Sequence, residues 1–131
     1  MRKNSIIIGS FLLIMLSCDY RPRNQGAALY REHCQNCHME NGQGLGTLMP
    51  PVADSDYVIE NIDLLACIIR FGQDEVVTVN DQKYEGVMPG NRQLNDVEIN
   101  NLIHFLVEVL NHQQNTYTIS DIRKQLESCE D

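Results

Sequence analysis

Cys34-Gln35-Asn36-Cys37-His38 is the stretch of this 131-residue chain whose side chains and spacing point most directly to chemistry. Two thiols so placed can each add to one vinyl group of a porphyrin. The histidine that follows is then carried under the metal, where an imidazole nitrogen is a good iron ligand. Cys-x-x-Cys-His is the attachment pattern of c-type haem, and the chain holds one copy. Two other chemistries use paired cysteines. A redox dithiol wants a thioredoxin-like βαβ setting, which no pattern around this motif supplies. A structural zinc site wants a fourth ligand at finger-like spacing. The expectation is one covalent haem c, bound through Cys34 and Cys37 with His38 on its iron.

Elements must hold that motif in place. A helix is expected from about Asn24 through Ala27, Leu29, Tyr30 and His33, delivering the cysteines. Gly42, Gly44 and Gly46, closing with Met49-Pro50-Pro51, follow neither helical nor strand periodicity and should wrap around something. From Asp56 to Arg70, apolar residues recur at threes and fours (Val58, Ile59, Ile62, Leu65, Ile69), which reads as one helix that stops at Gly72. Val76 to Val79 and Lys83-Tyr84 flank Asn80-Asp81, the composition of a two-residue hairpin turn. The clearest helix is 96–110. Asn95 is placed to cap it with Glu98 three residues on, and Ile99, Leu102, Ile103, Leu106, Val109 and Leu110 form one apolar stripe, with Asn100, Asn101 and Glu108 elsewhere. A short last helix spans Ser120 to Glu127.

The N-terminus reads as an address rather than as fold. Arg2 and Lys3, the apolar run Ile6 to Leu16, and Ser17 before Cys18 have the layout of a secretory signal, too short to span a bilayer. Met15-Leu16-Ser17-Cys18 resembles a bacterial lipoprotein box, with Met15 where Leu is usual, so Cys18 is the expected lipidated residue. A plain cleaved signal and an uncleaved anchor are the alternatives. The organisation expected is then 1–17 signal, 18–24 tether, 25–111 haem domain and 112–131 C-terminal extension. Loss of Arg2 and Lys3 takes the net charge from −8 to −10, since no acid precedes Cys18. Phosphate contacts need Lys and Arg, so nucleic acid is excluded as a partner. Such charge either steers the domain toward basic surfaces or simply keeps it soluble.

With these residues in view, the chain resembles the class I monohaem cytochromes c over about residues 25–111. Gly26-Ala27-Ala28-Leu29-Tyr30 before the haem motif is similar to the opening of that family. Gly86-Val87-Met88-Pro89-Gly90, then Leu94 to Ile99, resembles its Met-ligand loop and closing helix, and Val77 to Tyr84 is similar to a hairpin insert of some bacterial members. The resemblance implies a small all-α fold of 3–5 helices around one haem, with a short β-hairpin insert. It implies that the first and last domain helices cross closely at Gly26, with Tyr30 near Phe105. It implies Met88 as second axial ligand, fifty residues after His38, ahead of Met39, Met49, His33, His104 and His112. It also implies a carbonyl, from Pro50 or the adjacent Pro51, that accepts the proton of the ligand histidine's other nitrogen. Arg70 and Arg92 read as solvated ends of elements. Hydrogen bonding to haem propionates is the alternative for them and for the Tyr84 hydroxyl.

Cys67, among Leu64, Leu65, Ala66, Ile68 and Ile69, reads by default as a buried inert thiol. A bond to Cys129 that pins the last helix is the alternative. The expected function is single-electron transfer on the periplasmic side of a membrane, through a lipid anchor, to redox partners such as a terminal oxidase or a quinol-oxidising complex. The rival readings are a subunit of a larger oxidoreductase and, if Met88 is labile, a gas or peroxide sensor or enzyme.

Overall fold

In a computed structural model the described residues are 22–129. The signal, the lipoprotein box and Cys18 lie outside them. Among the described residues the α-helical segments are α1 (Pro22–His33), α2 (Gln35–His38), α3 (Asp56–Glu60), α4 (Leu65–Phe71), α5 (Asp96–His104) and α6 (Ile119–Ser128). A 3-10 turn, Ile62–Leu64, precedes α4, and a π-helical stretch, Phe105–Leu110, continues α5. Two antiparallel ribbons complete the architecture: β1 (Gly72–Gln73) with β4 (Met88–Pro89), and β2 (Val77–Val79) with β3 (Gln82–Tyr84).

The frame is a helix crossing. A Cβ at Gly26 would lie 2.2 Å from the Asn101 carbonyl oxygen and 2.6 Å from Phe105 Cβ, so only glycine lets α1 come this close to α5. Tyr30 and Phe105 meet beside it, ring centroids 5.4 Å apart and tilted 45°. Ile99, Leu102, Ile103 and Leu106 bury against Ala66, Ile69 and Leu94, and Ile122 and Leu126 of α6 close the same core. Each such aliphatic side chain stabilises the fold by roughly 1.5–3 kcal/mol relative to exposure. α5 starts on a capping box: Asn95 Oδ1 accepts the Val97 and Glu98 N–H groups at 3.0 Å, and Glu98 accepts the Asn95 N–H at 2.8 Å.

Several expectations need correction. The all-α description is too strict, because β1 and β4 form a second ribbon beyond the expected hairpin. The helices are also more numerous and shorter than three to five. α1 begins at Pro22, two residues before the expected start near Asn24, since proline is tolerated in a first turn that has no need of its N–H. The single helix expected over 56–70 breaks at Asn61 (φ −112°, ψ 27°), whose side chain joins its own N–H on the Tyr57 carbonyl, at 2.9 and 3.1 Å, and ends α3 before the 3-10 turn. Past His104 the winding widens to i→i+5, which turns later residues away from a 3.6-residue stripe. Val109 is accordingly 37% exposed instead of lining the core. Asn101, assigned to the outer face, is 1% exposed at the helix crossing and donates to Gln25 at 2.9 Å.

Two expectations match closely. Asn80 and Asp81 take positive φ (49° and 64°) in a two-residue turn that registers Val77 with Tyr84. The last helix agrees to within a residue at each end. The structure also pairs Cys67 with Cys129, whose Cα atoms are 5.9 Å apart, so the default reading of a free buried thiol is replaced by the alternative. The bond ties α6 to α4. Closing a loop of 62 residues stabilises by about 4 kcal/mol in the chain-entropy account. No helix among the described residues is long and apolar enough to cross a membrane.

Candidate functional site

α1 ends at His33, and the chain turns through Cys34 into the single turn α2 that carries Cys37 and His38. Cys34 is half-buried and Cys37 exposed, both as free thiols. Burial, then the neighbouring Cys37, pushes the Cys34 thiol up to about 12, so it is uncharged at neutral pH. His38 is 8% exposed, and burial lowers its pKa while the hydrogen bond to Pro50 opposes the shift. The ring is therefore neutral at physiological pH. Its Nδ1 lies 2.9 Å from the Pro50 carbonyl oxygen, which can only accept, so Nδ1 carries the proton and Nε2 keeps a free lone pair. That tautomer is the one a metal ligand needs.

The glycine loop explains how Pro50 arrives there. Gly44 has φ +69°, and a Cβ on it would stand 2.4 Å from the Met49 carbonyl and 2.7 Å from Pro50 and Pro51 backbone atoms. Its N–H donates to the His38 carbonyl at 3.0 Å. The loop is thus tied to the His38 backbone and brings the Pro50 carbonyl to the Nδ1 edge of the ring. Tyr30 donates to the Met39 carbonyl at 2.8 Å and fixes the turn after the histidine, and burial raises its pKa.

Met88 reaches the same place by another route. Gly72 (φ +85°) ends α4, and β1 pairs with β4 in the register Gly72–Pro89, Gln73–Met88. The Asn91 N–H donates to the Ile69 carbonyl at 2.9 Å, closing the loop back onto α4. Cys34, Cys37, His38, Pro50 and Met88 all line one cleft of about 1180 Å³, counting its open mouth. Val58, Leu65, Ile69 and Leu106 supply much of its apolar wall, and Leu48 and Val87 stand 68% and 70% exposed at its rim.

A c-type haem fits this donor set. The cleft is open at its mouth and mostly apolar, the surroundings that a porphyrin face requires. Two thiols and a correctly protonated imidazole sit on its wall, and a soft thioether is available from Met88. Among the described residues no group of three or more His, Cys, Asp or Glu is placed to hold a metal ion, so the zinc reading gains nothing.

Other candidates are engaged elsewhere. Arg70 makes a 2.9 Å ion pair with Asp96, which Arg123 also approaches at 3.4 Å. Arg92 lies over the Phe71 ring, 5.1 Å from its centroid. Neither arginine lines the cleft. Tyr84 does, and its hydroxyl donates to the Gly46 carbonyl at 3.2 Å. His104 pairs with Glu108 at 3.4 Å and stays off the cleft, whereas His33 and Met49 line it. Sequence reasoning missed Tyr57 and Gln73, joined by a 2.8 Å hydrogen bond on the cleft wall, and Asn111 behind it. Only the end of the closing helix marked Asn111 in the sequence.

Comparison with known proteins agrees with the geometry. Residues 21–106 match the family model described as cytochrome c oxidase, cbb3-type, subunit III. The chain is 34% identical over 93 residues to cytochrome c-552 of Thermus thermophilus, covering 66% of this chain and 63% of that protein. It is 32% identical over 104 residues to the cytochrome c subunit of the quinone-dependent alcohol dehydrogenase of Gluconobacter oxydans, covering 77% of this chain and 22% of that subunit. The chain therefore spans less than two thirds of these relatives. A haem motif whose histidine, proline carbonyl and distant methionine converge on one cleft places the chain, with the family match, among the monohaem c-type cytochromes, which bind their haem c covalently.

Proposed function

We propose that the protein is a single-electron carrier whose haem iron is held by His38 Nε2 on one face and Met88 sulfur on the other. The observation that supports this best is the convergence of a ready-made imidazole tautomer and a β-pinned methionine on the same apolar cleft. The haem supplies an iron that cycles between ferric and ferrous. The chain supplies everything else. Cys34 and Cys37 fix the porphyrin in place, the Pro50 carbonyl makes His38 more electron-donating, and the thioether of Met88 favours the ferrous state. If His38 and Met88 both hold the iron, no site would be left there for a substrate, which favours the carrier over the sensor or enzyme reading.

Exposed Cys37, Leu48 and Val87 mark the edge at which redox partners would meet the haem. Contacts over so small a rim suit brief, weak encounters. A terminal oxidase, a quinol-oxidising complex or a dehydrogenase would be such a partner, on the periplasmic side. Lipidation at Cys18 would hold the domain near a membrane-bound partner and raise its effective concentration. A second reading, a subunit of a larger oxidoreductase, is favoured by the likeness to a dehydrogenase's cytochrome c subunit.

Optical and resonance Raman spectra of the purified holoprotein in both redox states test the proposal. One covalent haem with an iron–sulfur bond is expected, inert to carbon monoxide under native conditions. Immediate carbon monoxide binding would overturn the carrier role while leaving the cofactor in place.

A further inference from the structure

Asn111 stands at the end of the π-helical stretch, 6% exposed, and every polar atom of its carboxamide is used. Oδ1 accepts the Ser55 N–H at 2.7 Å, and Nδ2 donates to the carbonyls of Val52 at 2.8 Å and Leu106 at 2.9 Å. Two of these three partners lie on the segment that carries Pro50. The neighbouring Leu110 carbonyl accepts the Asp54 N–H at 3.1 Å, so the end of the helix grips the segment at Val52, Asp54 and Ser55. From the other side, the Gly42 carbonyl accepts the Val52 and Ala53 N–H groups at 2.8 and 2.9 Å.

Between this clamp and the His38 ring lie only Pro50 and Pro51, whose φ angles are locked by their rings. A displacement of Val52 is therefore passed to the Pro50 carbonyl with little slack to absorb it. The π winding belongs to the same device. An α-helical continuation would bring Asn111 to a different angle about the axis, away from Val52 and Ser55.

We infer that Asn111 is a positioning residue for the axial imidazole: through Val52 and the two prolines it aims the Pro50 carbonyl at His38 Nδ1, and so helps set the reduction potential. This rests on the proposed role of His38 as an iron ligand. Loosening the Nδ1–H···O bond makes the imidazole a weaker donor to ferric iron, so the potential should rise.

The test uses the holoprotein with Asn111→Ala, Asn111→Asp and, as a control, Ile122→Ala on α6. Asn111→Asp keeps the acceptor for Ser55 and loses the donors to Val52 and Leu106, at nearly unchanged size. Midpoint potential, thermal stability and exchange of the His38 Nδ1 proton, followed by NMR of the ferrous form, are the readouts. In both Asn111 variants the potential should rise and proton exchange should speed up by about fivefold or more, the factor that one net hydrogen bond represents. Ile122→Ala should lower stability without moving either. If the Asn111 variants lose stability but keep the wild-type potential and exchange rate, the residue merely caps the helix and the inference is overturned. Should Asn111→Ala fail to assemble, Asn111→Asp alone decides by the same two readouts. A wild-type spectrum that lacks an iron-bound imidazole would instead remove the ligand assignment on which the inference stands.

Discussion

From Cys34 to Pro50 the wall of the cleft is one continuous run of chain, and its key hydrogen bond joins residues only twelve apart. From Gly72 to Asn91 the wall is a loop closed by its own short β1–β4 pairing and anchored to the core by a partner it does not contain, the α4 carbonyl of Ile69. The first half is built from a helix end, positive-φ glycines and two prolines, with the Asn111 clamp as its distant support. The second needs α4 to be in place, and α4 is tied through Cys67–Cys129 to a helix near the far end of the chain. A short-range wall closes a small loop and costs little conformational entropy, whereas a long-range one must be supported by the whole core. The Met88 side should therefore be the softer of the two, and ligand loss should begin there.

Replacing the methionine should give the largest effect. In Met88→His the haem stays covalent, and the potential falls by on the order of 0.1–0.3 V, well within the roughly 0.8 V that axial ligands span. Electrochemical titration measures it, and an unchanged potential would take Met88 out of the coordination sphere and erase the contrast. Next in size is the disulfide. Cys67→Ser with Cys129→Ser should lower stability by about 2–4 kcal/mol while leaving the native potential in place. On heating, the iron–sulfur absorption should then disappear well before the histidine signals do. Simultaneous loss would mean that both walls lean on α6 equally.

A paired glycine experiment sharpens the comparison at finer scale. Gly72→Ala puts a Cβ 2.4 Å from the Met88 carbonyl at φ +85°, and Gly44→Ala puts one 2.4 Å from the Met49 carbonyl at φ +69°. Each should cost about 1–3 kcal/mol in chemical denaturation. Gly72→Ala should weaken the iron–sulfur band, whereas Gly44→Ala should leave it intact and disturb the His38 Nδ1 proton. The reverse assignment would show that the two walls are not independent.

Legibility in the sequence followed the same divide. The haem motif, the Asn95 capping box, the Asn80-Asp81 turn and the last helix are each decided within a few residues, and each was readable. The break at Asn61 was not, because the apolar pattern at threes and fours runs on through it unchanged while the backbone leaves helical geometry. Val109 and Asn101 were assigned to the wrong faces for related reasons. A π turn changes the angular count without changing the letters, and a buried asparagine at a helix crossing looks like a solvated one until its partner Gln25 is known. The β1–β4 ribbon is too short to leave any alternation in the sequence.

The sequence by itself determined the kind of chemistry: two thiols and an imidazole in fixed order at the end of a helix. These are covalent spacing and local conformational preference, which no distant contact can alter. Tertiary structure alone decided that Met88 faces the same cleft, that Cys67 meets Cys129, and that Asn111 grips the proline segment. Each of these joins residues many positions apart, and their meeting depends on how α1, α4 and α5 pack, a sum over many buried contacts that no single stretch of sequence carries.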